Sequence, residues 1–187
     1  IRERNITKRE CKVMTAKGHV ILASALAYAP LNYMMSIYSF EKVIVSYMII
    51  ILSALLPDID EPKSFIGNKA TFLAYFLKML GLKHRSLTHW FITPSLIAVC
   101  GYFLQNDLAS LVLYSMAFGI LAHDIGDLLT NGGINGFFFP FFPNSKIVLF
   151  PRVLRFETFS LTERFFIVFL MLLNIYFYSK LISMLMV

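Results

Sequence analysis

The four histidines of the chain are His19, His84, His89 and His123. Two of them fall in Lys83-His84-Arg85-Ser86-Leu87-Thr88-His89, five apart with an arginine between them, directly before an apolar run. His123 and Asp127 are four apart, so on a helix they share one face and can grip one metal ion. Asp58 and Asp60 follow Pro57 and project from an irregular turn, reaching different ions or one bridging water. Neutral imidazole with carboxylate suits Zn²⁺, with Mn²⁺ or Fe²⁺ as the other expectations. Each feature alone has an ordinary reading. His84 and His89 suit a helix entrance, His-x-x-x-Asp is common on helices, and an aspartate after proline is often a helix cap. The two cysteines, Cys11 and Cys100, form no Cys-x-x-Cys, so neither a thiolate zinc site nor a disulfide scaffold is expected.

The elements that must position these residues are apolar. Of the 187 residues, 58% are hydrophobic and only 15% charged, and phenylalanine occurs 19 times. A soluble domain is nearer half apolar and a quarter charged. The composition therefore reads as one polytopic membrane domain over 1–187, with a basic cytoplasmic segment at 1–18 and a helical bundle at 19–187. The net charge of +6 reads as a topology signal and an attraction to anionic lipid, with no nucleic-acid partner expected. An uncleaved anchor is expected at the start rather than a signal peptide, and Met14 is a candidate for the native start.

Five apolar segments are expected at 19–40, 43–56, 87–104, 108–129 and 165–187. Pro30 breaks the first and Pro57 stops the second. Residues 65–82 read as an amphipathic interfacial helix. Residues 130–164, rich in glycine, proline and phenylalanine, read as a re-entrant or interfacial hairpin, with short strands near 147–150 and 153–156. Fifteen of the 17 lysines and arginines lie in the N-terminal segment, the second-to-third connection and the fourth-to-fifth connection. The excess of basic residues places all three on the cytoplasmic side.

That topology gathers the chemistry. His19 stands at the cytoplasmic start of the first helix, and Asp58 and Asp60 stand beyond the cytoplasmic end of the second. His84 and His89 open the third, while His123, Asp124 and Asp127 lie near the cytoplasmic end of the fourth. Asp107 alone among the aspartates falls on the other side. Ionisable groups at membrane depth are costly, so their clustering at one depth argues for a shared polar site.

Four motifs then resemble one family: Met14-Thr15-Ala16-Lys17-Gly18-His19; the run from Leu55-Leu56-Pro57-Asp58-Ile59-Asp60 to Gly67; His84-Arg85-Ser86-Leu87-Thr88-His89; and His123-Asp124-Ile125-Gly126-Asp127-Leu128-Leu129-Thr130. Together they resemble the YdjM-type family, described as inner-membrane-associated, metal-dependent hydrolases of bacteria and linked by name to the LexA (SOS) damage response. The resemblance runs from Met14 to about Phe166 and implies a metal-dependent hydrolase. Ser86 stands where that family usually has glycine, and Trp90 where a small residue is common. The order of His19, Asp58, His84 or His89, and His123 with Asp127 is also distantly similar to the zinc-dependent phospholipase C and P1 nuclease group. No histidine follows His123 here, so a mono- or dinuclear site is expected rather than a trinuclear one.

The expected protein is thus all-α: four to five transmembrane helices, an interfacial helix and a phenylalanine-rich hairpin in the bacterial inner membrane, with a cytoplasmic N-terminus. Its expected metal ligands are drawn from His19, Asp58, Asp60, His84, His89, His123 and Asp127. Its expected activity is hydrolysis of a phosphoester on a lipid-like substrate at the cytoplasmic face. Asp58 or Asp60, whichever does not bind metal, would act as base, while Arg85, with Lys63 as a second candidate, would hold phosphate. The rival class is a membrane protein that binds metal, or assists assembly, without turnover. A third reading is a hydrogen-bonded network that anchors helix ends.

Overall fold

The computed structural model describes residues 14–80, 87–151, 155, 157 and 160–185. Among them, helix α1 (Ala16–Met34) is capped by Thr15, whose side chain accepts from the Gly18 backbone N–H. The Thr15 N–H itself is held by the buried carboxylate of Glu163, at 2.9 Å. Pro30 does not end α1, which runs on to Met34. Proline is tolerated in membrane helices because their surroundings re-satisfy the freed backbone groups. Helix α2 (Phe40–Ser53) follows and tightens into a 3-10 turn, Leu56–Asp60, with Pro57 in its first positions. Counted together, Phe40–Asp60 has 21 residues, which removes the shortfall expected of the second segment.

The expected interfacial helix is two pieces, α3 (Phe65–Lys69) and α4 (Thr71–Met79), broken at Ala70. Ser64 stitches the first piece to the preceding turn. Its hydroxyl donates to the Asp58 carbonyl at 2.6 Å and accepts from the Gly67 N–H at 2.9 Å. Phe72, Tyr75 and Met79 on α4 are exposed apolar side chains, as an interfacial piece requires.

A short 3-10 turn, Leu87–His89, leads into α5 (Ile92–Phe103), and α6 (Asp107–Leu128) returns antiparallel after the Asn106 cap. Helix α6 is the centre of the bundle and packs on α1, α2 and α5. Helix α7 (Leu161–Leu185) lies along α1. A polar knot in the core ties three helices: the Ser24 hydroxyl meets the Tyr47 hydroxyl at 3.0 Å, and the Tyr178 hydroxyl donates to the Ser24 carbonyl at 2.8 Å.

Helices α1, α2, α5, α6 and α7 answer the five apolar segments. Among the described residues, three stretches are long and apolar enough to cross a membrane, Phe40–Asp60, Asp107–Leu128 and Leu161–Ser183; Ile92–Phe103 is apolar but shorter.

The hairpin is closed by β1 (Ile134–Asn135) and β2 (Lys146–Ile147), antiparallel, with Ile134 opposite Ile147. One expected strand, near 147–150, thus starts a residue early and is short, and its partner lies upstream. The other, near 153–156, falls largely outside the described residues. The phenylalanines between the strands divide. Phe137 is buried and its carbonyl accepts from the Phe91 N–H at 2.9 Å, whereas Phe141 and Phe142 are exposed. Trp90 stacks on Phe139 with ring centroids 3.9 Å apart.

Candidate metal centre

Four segments deliver the polar groups. The first turn of α1 brings His19, the Leu56–Asp60 turn brings Asp58, the Leu87–His89 turn brings His89, and the end of α6 brings His123 and Asp127. His19, His89, His123 and Asp127 are buried, and Asp58 keeps 16% of its side chain exposed. Asp58 therefore marks the opening of the cluster.

The donor atoms follow one another at nearly equal steps. His19 Nε2 lies 3.5 Å from Asp127 Oδ1, and Asp127 Oδ2 lies 3.6 Å from His89 Nε2. His89 Nε2 is 3.8 Å from Asp58 Oδ1, which is 3.7 Å from His123 Nε2. The parallel stack of His19 on His123, with centroids 3.6 Å apart, closes the sequence into a ring. Ligand atoms around an ion with bonds of ~2.1 Å are separated by roughly 3.0–3.4 Å. The observed steps are slightly wider, the spacing of a ring that one ion can draw together.

The state of His123 follows from its neighbour. Its Nδ1 lies 2.8 Å from the Ala54 carbonyl oxygen, which can only accept. Nδ1 must therefore carry the proton, and Nε2 points its lone pair into the ring. That Nε2, with both ring nitrogens of His19, is buried without a hydrogen-bond partner. Buried polar atoms are normally bonded, so these are the atoms a cation would satisfy. Two triads, His19–Asp58–His123 and His89–His123–Asp127, each bring their donor atoms within 4.8 Å of one another. Both need the single free nitrogen of His123, so they describe one centre that could hold one divalent ion.

Two glycines of α6 make the approach possible. A Cβ at Gly119 would collide with the Ile50 carbonyl and Ser53, which would push α2 away and with it Ala54. A Cβ at Gly126 would sit 2.9 Å from His19 Nδ1 and 3.0 Å from Met14 Sδ. These positions carry no chemistry, and only their spacing around His123 marks them in the sequence.

Of the expected ligands, His19, Asp58, His89, His123 and Asp127 come together. Asp60 does not join the ring; it is buried behind Thr88, whose hydroxyl donates to Asp60 Oδ2 at 2.7 Å. In a 3-10 turn successive residues rotate by roughly 120°, so positions two apart face different ways. His84 and Arg85 lie outside the described residues. Thr88 and Glu163 are site-supporting residues that the sequence reading did not single out. A hydroxyl beside a histidine and an acid far downstream leave no distinctive spacing.

A family model described as "YdjM inner membrane protein" matches residues 14–186. Inner membrane protein YdjM of Escherichia coli (strain K12) and inner membrane protein YdjM of Shigella flexneri are each 31% identical over 132 residues, covering 65% of this chain. The match spans 63% of the length of each relative, less than two thirds. No solved structure matches. With the family's pattern running through nearly the whole chain, this protein belongs to the YdjM family of inner membrane proteins.

Proposed function

We infer that the protein is a membrane-bound, metal-dependent hydrolase acting on a phosphoester of a lipid-like substrate at the cytoplasmic face. The observation that carries this reading is the ring of donor atoms from five residues on four separate segments, with steps of 3.5 to 3.8 Å. His19, Asp58, His89, His123 and Asp127 would hold the ion, Zn²⁺ by donor type, with Mn²⁺ or Fe²⁺ as alternatives. Such an ion supplies Lewis-acid polarisation of a phosphoryl oxygen and a more acidic water. The chain's own residues do the rest. Asp58, at the opening, would take a proton from the attacking water in the arrangement in which His19, His89, His123 and Asp127 alone hold the ion. The buried imidazoles keep bulk water from the inner side. Arg85, on the same connection as His89, is the proposed phosphate holder. The exposed apolar side chains of α4 and of the Phe141-Phe142 tip favour a substrate that arrives from the lipid.

One observation favours a second reading, metal binding without turnover. Four of the five donors are buried, and closed sites are typical of structural metal ions. Elemental analysis of purified protein, followed by a turnover assay on lipid phosphoesters, separates the two. Stoichiometric metal with phosphate release supports the hydrolase. Stoichiometric metal with no release from any lipid phosphoester supports the binder. Metal-free protein that folds normally would overturn both.

A further inference from the structure

The hydroxyl of Thr88 sits between two buried groups. It lies 2.7 Å from Asp60 Oδ2 and 2.9 Å from His89 Nδ1. A hydroxyl has one proton to give. The carboxylate can only accept, so the proton goes to Asp60. The Thr88 oxygen must then accept from His89, which requires the proton of that imidazole to be on Nδ1. His89 Nε2 is left with its lone pair, and Nε2 is the atom 3.6 Å from Asp127 and 3.8 Å from Asp58 in the ring. The same logic operates at His123, where the Ala54 carbonyl holds Nδ1–H directly. The two histidines thus reach one end state by different means, a backbone acceptor for one and a carboxylate–hydroxyl relay for the other.

We propose that Thr88 is a positioning residue, which with Asp60 behind it fixes the tautomer and ring angle of His89 so that Nε2 faces the centre. The proposal rests on the metal reading of that centre for its purpose, but the relay is a property of the metal-free chain. It reassigns Asp60 from candidate ligand or base to the far end of the relay. An acceptor that cannot donate is what compels the hydroxyl to point away from His89. Partners of this kind, behind a ligand histidine, orient the ring and raise its basicity.

The test uses the full chain in detergent, metal-free and labelled with ¹⁵N-histidine, with nitrogen chemical shifts reading the tautomer of His89. Zn²⁺ affinity is measured in parallel by competition with a chromophoric chelator. Wild type should show the Nδ1–H form. Thr88→Val, which keeps the shape and removes the hydroxyl, should shift His89 to Nε2–H and weaken Zn²⁺ binding by roughly 10–100-fold. Thr88→Ser should restore both readouts. Asp60→Ala supplies an independent arm should Thr88→Val not fold. The freed hydroxyl proton should turn to His89 Nδ1 and force the same Nε2–H form. His89 remaining Nδ1–H in either folded variant, or Thr88→Val binding Zn²⁺ as wild type does, overturns the proposal. A wild-type chain that takes up no Zn²⁺ sinks the metal reading instead, and the tautomer measurement still decides the relay.

Discussion

His123 on α6 reaches across to α2 and gives its Nδ1–H to the Ala54 carbonyl at 2.8 Å. That carbonyl belongs to the residue just past the end of α2, where the chain leaves the helix for the turn that carries Asp58. One hydrogen bond thus couples the orientation of a central histidine to the placement of the acidic turn. The distance depends on Gly119, one helical turn before His123, because its missing side chain lets α6 lie against Ile50 and Ser53.

Gly119→Val should therefore separate α2 from α6 and cost about 1–3 kcal/mol, as overpacking does. Metal content should fall with it although no donor is changed. Unfolding followed through Trp90, the single tryptophan, measures the first effect, and elemental analysis the second. A variant as stable as wild type, with full metal, would show that the contact at Gly119 does not set the centre.

His123→Ala and Asp127→Ala, made separately, should each lose metal and activity together. Both side chains face the ring. If both variants insert, fold and retain full metal content, the His-x-x-x-Asp pair is a helix-end network and the proposed mechanism is wrong.

The gathering of His19, Asp58, His89, His123 and Asp127 was legible only in part: charge counting put all four histidines with Asp58, Asp60, Asp124 and Asp127 at one depth, without separating these five from the rest. Packing then needed only to bring four segment ends together. What was not legible is of two kinds. Asp58 and Asp60, two apart on a helical turn, must face different ways, but which of them meets the ring depends on how the Leu56–Asp60 turn packs against its neighbours, a tertiary property that Pro-Asp-Ile-Asp does not encode. The close helix approach at Gly119 and Gly126 depends on which face of α6 meets which neighbour, a tertiary property. The five apolar segments were readable from composition alone. The break at Ala70 and the pairing of Ile134 with Ile147 were not, because short elements are decided by contacts rather than by periodicity.

The tip of the hairpin and α4 should meet lipid. Phe141 and Phe142 are exposed, as are Phe72 and Met79, whereas Phe137 is buried against the bundle. Nitroxide labels at 141, 142 and 72 should report a lipid environment, and a label at 137 should report immobilisation without lipid access. Water contact at 141, 142 and 72 alike would remove the interfacial placement, and with it the argument for a substrate that arrives from the bilayer.

The common depth of the donors is the premise beneath all of these, and it can be tested by itself. The turn at Leu56–Asp60, which carries Asp58, and the hairpin closed by Ile134 and Ile147 belong to different connections of the chain. The basic-residue count predicts that both lie on the cytoplasmic side. Single cysteines at exposed positions near 61–69 and 138–146, in a background with Cys11 and Cys100 replaced, should be closed to a membrane-impermeant maleimide in intact cells. They should react once the membrane is opened. Labelling of one group but not the other in intact cells would put the two connections on opposite faces. The helix ends carrying Asp58 and Asp127 would then lie at different depths, and a ring with 3.5 to 3.8 Å steps could not form.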